Sequence, residues 1–493
     1  MSFFIALLPI IFIFVFLFLF KLPSLRASLF TFMLTIAVTF FCREYHLNLD
    51  KVIHESIQGI LISFIAGYVL FFGIFLYHLI QRVGGIQSIA SFISERISDR
   101  VVQVLVLVVG LSPLIESTSG FGVAFMMVAP IFTALGFTPM KAALLGLVSL
   151  LAVPWGALAT GTIIGAELGE LSLERFGFGT AIVSIPVFAY FIIIAVWIVG
   201  GKEAVKRKWK QIGVIFFAFT SSILFCNYFI SVELAGVLSS LLVIILGFVM
   251  TKKGGKGGEH ISGTDKEKVI KVFSPYIILT ILIFMTRVIS PFQEILQRYA
   301  VIDLPKFSYK LALLYSPGFW LLITCIAAIV IFRLKKEEVF VSFKKTVAQW
   351  IPFMITTSCF VGISEVMGAA GMITAISDTL GSLFGKGFLI ISVLIGALGG
   401  FLTGSTASSN AMFIKLQVQT AGLTGLSADL VAFSQNAGAS HTTMASPSRV
   451  MLGTRLLGIQ SKEHQILKTV FLVVLGALLL IVGMSFGLSF FYF

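Results

Sequence analysis

Charge is scarce in this chain. Only 12% of its 493 residues are Asp, Glu, Lys or Arg, about half the roughly 25% that covers an ordinary soluble domain. Length alone would allow three or four soluble domains, but their surfaces could not be wetted. Cysteine is scarcer still. Cys42, Cys226, Cys325 and Cys359 lie far apart within or at the ends of apolar runs, without a CxxC pair, which predicts neither a disulfide nor a metal site. No zinc-ligand spacing, dinucleotide fingerprint or nucleophile elbow occurs. The run TKKGGKGGEH (Thr251–His260) lacks P-loop spacing and a preceding strand, so it reads as a flexible loop. These absences predict a protein that is not an enzyme and needs no cofactor.

What is abundant is apolar. Hydrophobic residues make up 58% of the chain, 50 residues are Phe, and the mean hydropathy is +1.05. The apolar runs recur from end to end, so residues 1–493 read as a single transmembrane domain embedded in the lipid bilayer. A helix crosses the hydrocarbon layer with roughly 20 apolar residues. Candidate spans are 3–20, 27–42, 57–80, 141–165, 178–200, 211–230, 234–250, 272–290, 316–332, 347–368, 427–452 and 466–490. The first has no basic residue before it and no convincing cleavage site after it, which predicts a retained helix and not a removed signal peptide.

Two regions differ from the rest. Residues 101–137 and 387–423 are each a pair of short apolar legs around a polar, glycine-containing tip, IESTSGFG (Ile115–Gly122) and TGSTASSN (Thr403–Asn410). The leg Val101–Leu114 would reach only about 21 Å as a helix. Irregular backbone at membrane depth survives only inside protein or beside water, so both regions read as re-entrant hairpins, with a pair of tilted full spans as the alternative for each.

The net charge of +13 does not point to nucleic acid, because the basic residues sit in short loops beside apolar spans. If residues 202–210, 252–271 and 333–345 are cytoplasmic, alternation places 21–26, 82–100, 141 and 449–468 there too, with 26 of the 35 Lys and Arg. Both termini then lie on the opposite side.

The chain also repeats itself. At an offset of 288, Leu114–Ser119 falls on Leu402–Ala407, and the interrupted span at Pro154, Gly156 and Gly161 falls on Thr442, Met444 and Arg449. An amphipathic stretch precedes each hairpin, at 85–100 and 371–383. The predicted repeats are 57–200 and 347–490, joined in part by the cytoplasmic loop 252–271. They enter the membrane from opposite sides, a plan of many secondary transporters. The expected fold is an all-α polytopic membrane protein with about 12 transmembrane helices plus two re-entrant hairpins in two inverted repeats.

The hairpin tips hold the first candidate site residues. Helix N-termini bind anions through unpaired N–H groups and a partial positive charge. The second legs start near Gly120–Gly122 and Ser408–Asn410. Ser117, Thr118, Gly120 and Gly122 on one tip, and Ser405, Thr406, Ser408, Ser409 and Asn410 on the other, are candidates for substrate binding. Tight packing of a turn by small residues is the competing explanation.

Glu116 is the acidic residue inside an apolar hairpin. Charge is expensive there, which suits it to carry a proton; a permanently paired carboxylate, with Lys415 or Arg449, is the alternative. In the interrupted segment Ser434–Ser448, the polar cluster with Asn436, His441 and Thr443 adds further substrate candidates. Pro154 in the first interrupted span is expected to kink its helix. His441 is either a donor or a structural side chain. Lys415 either meets a carboxylate or snorkels to the interface.

At these motifs the chain resembles the lactate permease family of bacteria. LIESTSGFGVAF (Leu114–Phe125) is similar to the family's FLEGAAGFGAPV, GGFLTGSTASSNAMF (Gly399–Phe413) to GVFLTGSDTSSNALF, and MASPSRV (Met444–Val450) to MISPQSI. LGFTPMKAA (Leu135–Ala143) and SPYIILT (Ser274–Thr280) extend the likeness over nearly the full length. The resemblance implies proton symport of L-lactate and related small 2-hydroxy monocarboxylates across the plasma membrane. It departs at Thr406 and Thr443, where the family has Asp and Lys, while Lys415 and Arg449 are charged where the family pattern is not. A sodium-coupled or exchange carrier of another small organic anion is the first alternative, and an anion channel the second. The expected partners are a small carboxylate and a coupling proton or sodium ion, without nucleic acid; homo-oligomerisation is left open.

Overall fold

A computed structural model describes residues 2–120, 122–252 and 263–491. The chain enters with α1 (Ser2–Phe14), extended by a π-turn over Val15–Leu19, and α2 (Ser24–Phe41). A first series follows: the long α3 (Leu49–Arg82), the amphipathic α4 (Gly85–Arg96), then a hairpin. One leg of that hairpin is α5 (Arg100–Val106), a π-turn (Leu107–Leu111) and α6 (Ser112–Ser119); α7 (Val123–Ala134) returns. The broken span α8 (Pro139–Val148) and α9 (Gly156–Gly169), and then α10 (Leu173–Arg207), complete the series.

Three helices, α11 (Trp209–Phe229), α12 (Val232–Lys252) and α13 (Gly263–Val288), lead to the short α14 (Ser290–Arg298). A small antiparallel ribbon of β1 (Val301–Leu304) and β2 (Tyr309–Ala312) comes next, in the register Val301 opposite Ala312, and then α15 (Pro317–Phe332). The second series repeats the order of the first. It runs through α16 (Lys336–Ala369), α17 (Met372–Phe384), a hairpin of α18 (Phe388–Thr403) and α19 (Thr406–Thr424), a broken span of α20 (Ala428–Thr442) and α21 (Pro447–Leu456), and α22 (Glu463–Ser489). Among the described residues, ten helices are long and apolar enough to cross a bilayer, twelve if each of two bent pairs is one span.

Local sequence sets these boundaries. Asn48, Asp99, Thr138, Ser172, Ser316, Ser405 and Ser427 cap α3, α5, α8, α10, α15, α19 and α20 by accepting first-turn N–H groups, which would otherwise be orphaned. Gly404 ends α18 in the left-handed region at φ 65°, where a Cβ would be strained.

The two series are inverted. Their first helices, α3 and α16, are in contact along much of their length. Trp350 donates to the Gly67 carbonyl at 2.7 Å, and a Cβ on Gly59 would lie 2.7 Å from the Gly362 nitrogen. Position 67 therefore meets 350 while 59 meets 362, so the helices run antiparallel. Glycine at both crossing positions lets the backbones approach, as small residues do between membrane helices.

Two expectations need correction. The first hairpin's ingoing leg is not short: Arg100–Ser119 forms 20 continuous helical residues, buried from Val101 onward. The reason is Pro113 at the start of α6. Proline lacks an N–H and clashes with the preceding turn, and the π-turn just before it absorbs the misfit so that the helix continues. All but Thr251 and Lys252 of the expected flexible loop, and half of the cytoplasmic loop expected over 252–271, lie outside the described residues, and from Gly263 the backbone is helical as the start of α13. The amphipathic α14 and the β-ribbon had no counterpart in the sequence reading.

Candidate functional site

Residues of the two hairpin tips line one cavity. In the first, Gly120 and Gly122 turn the chain at φ 63° and 72°. The Gly122 N–H donates to Glu116 Oε1 at 3.1 Å, so the carboxylate folds back over the break before α7. In the second, Thr403 Oγ1 accepts from the Ser405 N–H at 3.1 Å and Ser405 Oγ accepts from the Ser408 N–H at 3.2 Å. These bonds fix the opening of α19.

Arg449 lies between the tips. It stands on α21, which Pro447 starts after a 3₁₀ turn at Thr443–Ala445 ends α20. Its Nη2 donates to the Gly404 carbonyl at 2.8 Å and lies 4.0 Å from Glu116 Oε1. Both side chains are buried, Glu116 at 2% exposure and Arg449 at 6%. Glu116 Oε2 and Arg449 Nη1 have no hydrogen-bond partner among the described residues. The ion pair is thus incomplete. Buried polar atoms without partners are costly, and they are the atoms best placed to receive a ligand.

Two cavities adjoin this pair and share the walls Phe353, Gly404, Ser405 and Arg449. The inner one, about 40 Å³, is lined also by Glu116, Gly120, Gly156, Ala157, Thr160, Gly161, Thr406 and Ala407. The outer one, about 420 Å³, adds Gln349, Thr356, Thr357, Ser408 and Ser448. It extends to Ser24 and Leu25, beside the basic segment Lys21–Arg26, and so leads to the face that carries the basic loops. A single guanidinium thus serves both cavities.

The broken span of the first series contributes strained backbone. Ala157, Leu158 and Ala159 are left-handed, at φ 38°, 54° and 64°, and each such residue costs about 1–2 kcal/mol. Strain of this kind concentrates where function holds it in place. Thr162 Oγ1 donates to the Pro154 carbonyl at 2.6 Å, tying the two sides of the break.

The structure sorts the candidates into two groups. Glu116, Gly120, Ser405, Thr406 and Ser408 line the cavities, and Gly122 holds Glu116. The others lie outside the cavity walls. Thr118 Oγ1 bonds the α6 carbonyls of Leu114 and Ile115, and Ser117 packs against Gly236 of α12. Ser409 donates to the Gly396 carbonyl at 3.0 Å within its hairpin.

Asn410 donates to Gly161 O and Asn436 Oδ1, and Asn436 in turn to Thr162 and Thr180. His441 Nε2 meets Ser184 Oγ at 3.0 Å between the rings of Phe188 and Phe191. Thr443 bonds the Ser440 carbonyl. Lys415 pairs with Glu365 at 2.8 Å.

Arg449 is the residue that sequence reasoning undervalued. It was visible as a charge in a membrane segment and as a partner for Glu116, but nothing in the motif placed it across from the other hairpin tip. Phe353, Gln349, Thr356 and Thr357 on α16 gave no signal.

Comparison with known proteins agrees with this architecture. The chain is 24% identical to the L-lactate permease of Halalkalibacterium halodurans over 99% of its own length and 97% of that protein. It is 26% identical to that of Bacillus subtilis over 95% and 92%, and 24% identical to the glycolate permease of Escherichia coli over 95% and 92%. Among solved structures it is similar to the YdaH transporter of Alcanivorax borkumensis, described as having an unusual topology. That likeness has a TM-score of 0.50 at 14% identity and covers 95% of this chain and 98% of the other. The protein is therefore a multi-pass transporter of the bacterial plasma membrane rather than an enzyme. With the family model of L-lactate permease matching residues 2–492, the chain belongs to the L-lactate permease family.

Proposed function

We propose that this protein carries L-lactate and related small 2-hydroxy monocarboxylates across the membrane together with a proton. The observation that carries the reading is the incomplete pair of Glu116, in the wall of the inner cavity, and Arg449, in the wall that both cavities share. A guanidinium presents a planar fork of donors that matches a carboxylate, and Arg449 Nη1 has no partner among the described residues. Thr406 and Ala407, in the first turn of α19, bring a helix N-terminus to the same wall, adding N–H groups suited to an anion. Ser405, Ser408 and Thr160 offer hydroxyls within the same walls for a substrate 2-hydroxyl. The presence of both L-lactate and glycolate permeases among the relatives supports this breadth.

Coupling follows from charge. Glu116 and a substrate carboxylate compete for one buried cation. A proton on Glu116 releases Arg449 to the substrate, and a bound substrate makes that proton easier to hold, so the two are taken up together. The cavity leads to the basic face, the cytoplasmic one by the charge rule, so this conformation is the one that exchanges substrate with the cell interior.

The test is uptake by the purified protein in liposomes. L-lactate, glycolate, pyruvate and a dicarboxylate are compared under an imposed pH gradient and under an imposed sodium gradient. Accumulation of the 2-hydroxy acids driven by the pH gradient alone is expected. Accumulation that needs sodium would replace the proton, and dissipation without accumulation would mean a channel.

A further inference from the structure

A further cleft, apart from the two cavities, lies at the basic face, where α3 ends and α16 begins. His78, Gln81, Arg82, Val341, Ser342 and Lys345 enclose about 150 Å³ there. Apart from Val341 its walls are hydrogen-bonding groups, and two of them are cations. Glu338 approaches Arg82 Nε at 3.6 Å, so one carboxylate sits at the rim beside two positive charges.

His78 is buried in its wall, only 6% exposed. Its Nδ1 faces Gln81 Oε1 at 3.4 Å, while Nε2 is buried without a hydrogen bond of ordinary geometry among the described residues. With Nδ1–H turned to the amide oxygen, Nε2 accepts; with the ring protonated, Nδ1–H keeps that partner and Nε2–H donates to an anion. Ser342 adds a hydroxyl, which serves either state.

The surroundings indicate which anion. Phe340 is 66% exposed and Phe343 44% exposed on the same turns of α16, and Phe343 packs edge-on against Phe71 of α3. Apolar rings exposed beside Lys344 and Lys345 at the end of two membrane helices mark the level of the lipid headgroups. A ligand there would place its charge among Arg82, Lys345 and His78 and its apolar part along the Phe343 side.

We propose that this cleft binds a phosphate-bearing anion, with the phosphodiester headgroup of an anionic phospholipid as the form that the exposed rings favour. The site is separate from the transport cavity. The His78 ring also has Gln349 beside it, and Gln349 lines the outer cavity, so the occupant would lie one side chain from the substrate route.

The experiment is native mass spectrometry of the full-length protein in detergent, titrated separately with phosphatidylglycerol, phosphatidylcholine and inorganic phosphate. The wild type should retain phosphatidylglycerol at least tenfold more tightly than phosphatidylcholine. Arg82→Gln combined with Lys345→Gln should lose that preference, whereas Lys344→Gln, on an exposed residue outside the cleft, and Arg82→Lys with its charge kept should retain it. Melting temperatures of the variants show that each is folded, and Arg82→Lys keeps the comparison valid if the double variant is not.

Binding of inorganic phosphate in place of the lipid, lost in the same double variant, would support the site with a soluble phosphate as its occupant. Equal retention of both lipids by the wild type with no phosphate bound, or an undiminished preference in the folded double variant, would overturn the proposal.

Discussion

The side-chain amide of Asn410 donates to Asn436 Oδ1 at 2.8 Å and to the Gly161 carbonyl at 2.9 Å. One group thereby joins the second hairpin to both broken spans. Asn410 is fully buried, and each buried polar group left unpaired costs about 1–3 kcal/mol. Asn410→Ala should lower the melting temperature of the purified protein and reduce the maximal transport rate at least tenfold. The substrate concentration for half-maximal uptake should change little, because this amide holds the tip instead of touching the cavity. A selective loss of affinity at unchanged stability would place Asn410 against the substrate.

Glu116 and Arg449 should behave as a unit. Arg449→Gln removes the cation and leaves a buried carboxylate without its partner, a change that costs about 3–5 kcal/mol when the carboxylate stays charged. Uptake should vanish. Glu116→Gln should keep substrate exchange between the two sides of a liposome but abolish accumulation driven by a pH gradient. The double variant should be more stable than Arg449→Gln alone and remain inactive. Retained pH-driven accumulation in Glu116→Gln would locate the proton carrier elsewhere.

Much of this architecture is legible in the sequence because the bilayer makes strict demands. Spans such as Leu173–Arg207 announce themselves by length and apolar content, and the tips by polar residues where a helix should continue. The repeat is legible as an order of features, with α4 and α17 preceding their hairpins as the amphipathic stretches imply. Which polar residues face the cavity is not legible. Ser408 and Ser409 are neighbours in sequence, yet one lines the outer cavity and the other bonds Gly396 inside its own hairpin. Rotation about a helix axis decides such cases, and in a helix buried on all sides no hydrophobic stripe records it. Arg449 was not singled out as a substrate candidate because its place beside the second tip depends on Gly404, 45 positions earlier.

Lys415 should prove structural. Its partner Glu365 is only 4% exposed, and the 2.8 Å pair joins α19 to α16 away from both cavities. Lys415→Gln should destabilise the protein by up to about 3–5 kcal/mol through the stranded carboxylate, and Lys415→Gln with Glu365→Gln should recover most of the loss. Substrate affinity should stay within about twofold of wild type in the double variant, since a change of 1.4 kcal/mol would already be tenfold. A tenfold loss of affinity in the double variant would show that Lys415 meets the carboxylate.

His441 presents the same question with a different readout. It lies fully buried between Phe188 and Phe191 with Ser184 on Nε2, outside the cavity walls. A His that donated to substrate as a cation would lose that role as pH rises through roughly 6.5, its ordinary value. His441→Gln should therefore leave the pH profile of substrate affinity between 5.5 and 8.5 parallel to that of the wild type, with any defect appearing in stability. A loss of affinity confined to acidic pH would bring His441 into the site.

The left-handed turn at Ala157–Ala159 offers a test of whether strain serves transport. Glycine has no Cβ and adopts positive φ readily, so Ala159→Gly should relieve about 1 kcal/mol in the folded protein. Its gain is partly offset by the greater freedom of glycine in the unfolded chain. Ala157 and Thr160 in the same turn line the inner cavity, so the geometry held there also shapes the cavity wall. Ala159→Gly should leave the melting temperature equal or slightly higher while the transport rate falls severalfold, because a softer turn no longer holds the wall opposite Thr406. Ala159→Val, which adds a β-branched side chain at φ 64°, should destabilise the protein instead. Wild-type transport in Ala159→Gly would mean that the turn is only a connection between the two halves of the span.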